Sequence, residues 1–141
     1  MSINYYDIDE IMNMFDWNNP LDVQEIALEM ARGIRCINVF ILPCHSGHCK
    51  NVWDNCAKIL AEKSDGELRP YLSKLMVWLQ DLNWPGAYTI FERLKYYEGA
   101  GFDFAYNCCV LQAKALDEEM WLSALKSLKE EKTRKTGDGS D

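Results

Sequence analysis

A chain of 141 residues, 48% hydrophobic and 12% aromatic, with a net charge of −7, excludes a disordered or low-complexity segment. At this length a chain buries roughly 70% of the surface its unfolded form exposes, so neither a disulfide nor a metal is required for stability. The acidic balance argues against nucleic acid as a partner, because phosphate backbones are repelled.

The N-terminal sequence Met1-Ser2-Ile3-Asn4-Tyr5-Tyr6-Asp7 has no basic stretch followed by an apolar core, and no apolar run approaches the ~18 residues of a membrane span. A cytoplasmic location without membrane contact is expected, with the six cysteines as reduced thiols. The acids Asp7, Asp9, Glu10, Asp16, Asp22, Glu25 and Glu29 all precede the first basic residue, Arg32. Such an end either keeps the chain soluble or steers a basic protein toward it.

Apolar spacing is helical through most of the chain. Ile8, Ile11, Met12 and Phe15 mark a first helix. Pro20 opens a second, with Val23, Ile26, Ala27, Met30 and Ile34 as its expected core face. Arg35 to Leu42 reads as a short helix or an extended connector. Val52, Trp53, Cys56, Ile59 and Leu60 predict the next helix, ended by Ser64-Asp65-Gly66. Pro70 opens another, with Leu72, Leu75, Met76, Leu79 and Leu82 on one face.

Trp84-Pro85-Gly86 breaks that pattern, and Ala87, Ile90, Phe91 and Leu94 resume it with Asn83 as a capping residue. Gly99-Ala100-Gly101 is the following breaker. Phe104, Ala105, Cys108, Cys109, Gln112 and Leu116 predict a further helix. Asp117 is read as the N-cap of the last, which buries Trp121, Leu125 and Leu128. Residues 1–129 are expected to form a single helical domain and 130–141, which lack any apolar residue, a disordered polar tail.

Asp16-Trp17-Asn18-Asn19-Pro20 and Asp81-Leu82-Asn83-Trp84-Pro85 share D-x-N-x-P at an offset of 65 residues, close to two helical-hairpin repeats of roughly 33. The fold class expected is all-α: a short HEAT-like α-solenoid of antiparallel helix pairs, stacked with a right hand.

Trp78-Leu79-Gln80-Asp81-Leu82-Asn83-Trp84-Pro85-Gly86-Ala87 resembles the signature of a family of small, uncharacterised bacterial proteins known as a domain of unknown function. The run from Lys50 to Leu60, the Ser64-Asp65 turn and Arg93-Leu94 resemble it as well. The resemblance implies an all-helical, HEAT-like fold and carries no activity. Small helical proteins of this general kind include immunity partners of bacterial toxins, an analogy of kind only.

Each position of WLQDLNWPGA has a structural reading in packing and turn formation, which is preferred. The functional reading makes Trp78, Asp81, Asn83 and Trp84 a partner groove, since Trp is a favoured interface anchor.

PCHSGHC, residues 43–49, holds both histidines and two cysteines. Cys44 with His48, and His45 with Cys49, have chelating spacing on a helix. One short segment would have to wrap the ion alone, however, and no second ligand pair occurs elsewhere. A flexible loop is the preferred reading, with no metal or cofactor expected.

The sequence has no G-x-G-x-x-G, P-loop or H-E-x-x-H, and the histidines have no evident orienting carboxylate. The leading expectation is a non-enzymatic protein-interaction module, in its concrete version an immunity-type protein, that binds a basic partner through Asp16, Asp22 and Glu25. A metal-binding or thiol-redox protein using the 44–49 loop, and an enzyme with a pocket around Asp81, stand as alternatives.

Overall fold

Among the described residues, eight α-helices and short 3-10 turns follow the apolar rhythm of the chain, and no strand is found. The structure, a computed structural model, describes residues 5–44 and 49–138, with side chains described for 8–44 and 49–135. The helices are α1 (Tyr5–Phe15), α2 (Leu21–Ala31), α3 (Lys50–Ala61), α4 (Asp65–Leu68), α5 (Leu72–Val77), α6 (Ala87–Lys95), α7 (Phe102–Ala115) and α8 (Glu119–Asp138). The chain groups into two compact units, Met1–Glu62 and Lys63–Asp141.

In the first unit α1 packs on α2 and α3. Ile11, Met12 and Phe15 are buried from α1, and Val52, Trp53, Cys56, Ile59 and Leu60 from α3, as their spacing predicts. The ambiguous stretch after Arg35 contains a 3-10 turn, Ile37–Phe40, whose Phe40 ring lies 6.1 Å from that of Phe15.

The face of α2 differs from expectation. Its buried residues are Gln24, Ala27 and Ala31, while Ile26 is 55% exposed. Gln24 can face inward because its amide is satisfied there. Its Nε2 donates to the Asn19 carbonyl at 2.8 Å, and its Oε1 accepts from Asn55 Nδ2 at 2.9 Å. Asn55 Nδ2 also donates to the Phe15 carbonyl at 2.8 Å. A buried polar group is tolerated only when it is bonded in this way.

In the second unit α7 packs on α5 and α8, and α6 packs on α5 and α8. Ser64 begins a helix rather than closing the turn before it. Its hydroxyl accepts from the Glu67 amide, and the Glu67 carboxylate accepts from the Ser64 amide at 3.1 Å. This reciprocal capping satisfies two otherwise orphaned donors at the start of α4.

Asp65 is tied further. It receives Arg93 Nη2 at 2.6 Å on Oδ1 and the Glu98 amide at 3.0 Å on Oδ2. Gly99 is required beside this pair, since a Cβ there would come within 2.7 Å of Tyr97 Oη and 3.1 Å of Asp65 Cβ.

Burial works toward the neutral acid at Asp65. The Arg93 hydrogen bond, the Glu98 amide and the Arg93 charge outweigh it and hold the carboxyl below its ordinary value. A depressed carboxyl contributes stability above its unfolded pKa of about 3.9, and that contribution is lost as pH falls through the lower folded value. Asp65→Asn is therefore expected to cost about 1–3 kcal/mol at neutral pH. Urea titrations should show the difference from the parent shrinking only below about pH 4. A deficit that is constant down to acid pH would show that the charge is not what matters.

Two expectations for α7 and α8 are corrected. Ala105 and Cys109 are buried with Phe102 and Ala113, but Phe104 is 77% and Leu116 59% exposed, and Cys108 and Gln112 also face outward. Asp117 closes α7 rather than capping α8. It has φ +54°, its amide donates to the Lys114 carbonyl at 3.2 Å, and the Glu118 amide reaches the Ala113 carbonyl at 2.9 Å. That is a Schellman ending with an aspartate in the left-handed position usually held by glycine.

Trp121, Leu125 and Leu128 are buried as expected. Beyond Glu130, where a disordered tail is expected, α8 continues to Asp138. Lys132 Nζ donates to the Tyr97 carbonyl. Lys95 and Glu131 lie 3.6 Å apart, as do Lys135 and Glu98. Lys132 also lies over the Phe102 ring at 4.6 Å and Lys135 over the Tyr96 ring at 4.9 Å, so charged residues hold this stretch by reaching partners on the preceding elements.

Candidate functional site

The two D-x-N-x-P segments form the same turn. Asp16 Oδ1 accepts from the Asn18 amide at 2.9 Å, and Asp81 Oδ1 from the Asn83 amide at 2.8 Å. The backbone bond follows in both, from Asn19 to the Asp16 carbonyl and from Trp84 to the Asp81 carbonyl, each at 3.0 Å. An aspartate that bonds the amide two residues on favours this geometry locally, so the repeated pentapeptide has a repeated physical cause.

This use of the carboxylates changes the standing of the sequence-selected residues. Trp78 is fully buried, and its indole Nε1 donates to the Pro85 carbonyl at 2.9 Å. It is a core residue with no face for a partner. Asp81 and Trp84 are half-buried, and Asn83 is exposed. Asn83 does not cap α6. That place belongs to Gly86, whose φ of +82° suits a residue without a Cβ. WLQDLNWPGA therefore builds a turn and a core, and the structure gives its Asp81 carboxylate a turn-closing bond.

Asp16 is likewise engaged, through Asn18 and through Oδ2, which accepts from Asn51 Nδ2. Asp22 and Glu25 are exposed on the outer side of α2, as are Asp9 and Glu10 on α1. Glu29 is paired with Arg32 at 2.6 Å, and Arg32 also reaches Glu62 at 2.9 Å. Asp9, Glu10, Asp22 and Glu25 form no ion pair among the described residues.

Beside these acids stand three large apolar side chains: Leu21, 75% exposed, Ile26, 55%, and Trp17, 48%. On a helix Asp22, Glu25, Ile26 and Glu29 are neighbours at spacings of three and four. The outer side of α2 thus combines uncompensated negative charge with exposed hydrophobic area. Sequence reasoning missed the apolar half because it assigned Ile26 to the core. The signal available was Gln24, whose inward position requires Ile26 to turn outward.

At the 44–49 loop, Cys44 is exposed and Cys49 half-buried. His45 and His48, the other two candidate ligands, lie outside the described residues. Among the described residues no group of three His, Cys, Asp or Glu side chains is gathered as a metal site, and no helix is long and apolar enough to cross a membrane.

A family model described as a domain of unknown function, DUF5071, matches residues 50–136. No curated protein and no solved structure matches the chain. The matched span holds α3, the capped Ser64-Asp65 turn, Arg93 and WLQDLNWPGA, and it leaves α1 and α2 outside.

Proposed function

Since the chain belongs to the DUF5071 family, whose function is undescribed, we propose its role from its own surface: a non-enzymatic, cytoplasmic protein-interaction module that binds a basic protein through the outer side of α2. The observation that carries this reading is the juxtaposition of Asp22 and Glu25 with exposed Leu21 and Ile26. Negative charge steers a basic partner into encounter, and desolvated apolar side chains at the centre of a contact supply most of its affinity. An immunity-type protein that masks a basic toxin is the concrete version.

The same proposal makes the fold a short HEAT-like stack of antiparallel helix pairs. The twofold occurrence of the D-x-N-x-P turn with matching hydrogen bonds supports it. A protein is preferred to nucleic acid because the acids face outward on this surface. Asp16 is engaged in its turn through Asn18 and Asn51, so the surface proposed is built on Asp22 and Glu25.

The test compares tagged parent protein with the Asp22→Lys, Glu25→Lys double variant in pull-downs from native lysate at low and high salt. A stoichiometric basic protein should be retained by the parent at low salt and lost in high salt or with the variant. With that protein purified, charge reversal should lower the association rate roughly tenfold or more, and Ile26→Ser should raise the dissociation rate. Equal association rates for parent and double variant would refute the electrostatic reading.

A further inference from the structure

We propose that the exposed face of α7 is a self-association surface, on which a second copy of this chain docks through its own α7, antiparallel and related by a twofold axis. Phe104, Cys108, Leu111 and Ala115 follow one another at spacings of four, three and four, the rhythm of a coiled-coil seam. Phe104 is 77% and Leu111 68% exposed, and Cys108 and Ala115 are exposed as well. The opposite side of α7, with Phe102, Ala105, Cys109 and Ala113, is the one buried where the helix packs on α5 and α8. An apolar stripe left on a folded surface in this way marks a contact with another molecule. Asn107 and Gln112 beside the seam are neutral and exposed, and the run 104–113 holds no charge.

The order of side chains along the seam makes a second copy the occupant. Large and small residues alternate, so the seam complements itself when reversed. With the twofold axis perpendicular to α7 and passing between Cys109 and Val110, Phe104 lies opposite Ala115 of the second copy, and Leu111 opposite its Cys108. Each large side chain meets a small one, as interdigitated packing requires. A groove of about 410 Å³ beside Cys108, lined by Arg69, Pro70, Ser73 and Phe104, gives the incoming leucine a recess.

Charge is complementary under the same axis. Asp103 and Lys114 bracket the uncharged run. They are close to three helical turns apart and so share one flank of α7. In an antiparallel pair equivalent flanks face each other, and reversal brings Asp103 of each copy within about 3 Å, along the helix axis, of the other's Lys114. The pairing is isologous, so it is made at both ends of the contact. Asp103 meets Lys129 at 2.9 Å through Oδ1, and its side chain is still 81% exposed, which leaves it accessible to a second cation. Lys114 is exposed. A partner helix bearing charge of one sign would be repelled at one end of this seam, whereas a copy of α7 is attracted at both.

Sedimentation equilibrium of the untagged full chain in reductant, from micromolar to submillimolar concentration, should show monomer and dimer in exchange. Leu111→Glu should leave monomer throughout, and Leu111→Ser should do the same if the glutamate variant loses its helical circular dichroism. Lys114→Glu and Asp103→Lys each set like charges opposite one another at both ends, so each should weaken the dimer roughly tenfold or more. Mixed in equal amounts, these two variants should recover a dimer of parental strength, because each reversed charge then faces its opposite. Mixing cannot repair a variant that is merely misfolded.

A parent that stays monomeric to submillimolar concentration would overturn the inference and leave the face to a different protein. So would a dimer that both Leu111 substitutions leave intact, or a mixture of the charge variants that associates no more tightly than either alone.

Discussion

Trp78→Ala is expected to destabilise the second unit by about 3–5 kcal/mol, the range for removing a large buried aromatic side chain. Trp78 is fully buried, so the loss combines transfer free energy with a cavity that its neighbours fill only in part. A second loss is specific to this site. The indole bonds to the Pro85 carbonyl, so truncation removes the tie across the turn that precedes α6. Against a typical total stability of about 5–15 kcal/mol, this change leaves little margin at 37 °C.

Trp78→Phe separates the contributions. It keeps most of the apolar volume and leaves the carbonyl without its indole donor, at an expected cost of about 1–3 kcal/mol. Urea denaturation of the parent and both variants, followed by far-UV circular dichroism, measures the series. Midpoints that fall in the order parent, Phe, Ala support a core role. A Trp78→Ala variant as stable as the parent would refute that role.

Asn55→Leu is the second large effect, at about 2–4 kcal/mol. Asn55 is 2% exposed, and its single Nδ2 serves both the Phe15 carbonyl and Gln24 Oε1. Leucine would fit the apolar surroundings, so the cost comes from acceptors left dry without a donor. This reasoning makes a sharper demand on a double-mutant cycle. Gln24→Leu removes one of those stranded acceptors, so the double variant should lose less than the sum of the single variants, with a coupling of at least about 0.5 kcal/mol. Additive losses in urea denaturation would mean that the amides act independently and that no shared network positions α2 against α3.

The outward turn of α2 depends on this network, and with it the surface proposed to bind a partner. Gln24 lies inward because Asn55 and the Asn19 carbonyl satisfy it, and Ile26, two positions on, is carried outward. If α2 depended on hydrophobicity alone, Ile26 would be the better core residue. Much of the candidate surface therefore lay beyond sequence reasoning, although its acids were legible as an uninterrupted run of charge.

The sequence by itself determined the helical class, the register of α3 and α6, and the D-x-N-x-P turns. Each of these depends on interactions within a few residues, or on a face such as Val52, Cys56, Ile59 and Leu60 with one apolar side. The family-like residues were legible too, and their cause is now physical: Asp65 with Arg93, and Trp78 with Pro85.

Only the tertiary structure decided the faces of α2 and α7, because both helices carry apolar residues around most of their circumference. Close packing there chose small side chains, Ala27 and Ala31 on one, Ala105, Cys109 and Ala113 on the other. It left Ile26, Phe104 and Leu116 outside. A hydrophobicity pattern ranks side chains by area, whereas helices in contact must also match volume at native density. That second requirement depends on the partner helix. Tertiary partners likewise extended α8 past Glu130, where the local sequence offers charge without an apolar face, and Lys132 and Lys135 find their acceptors on distant residues.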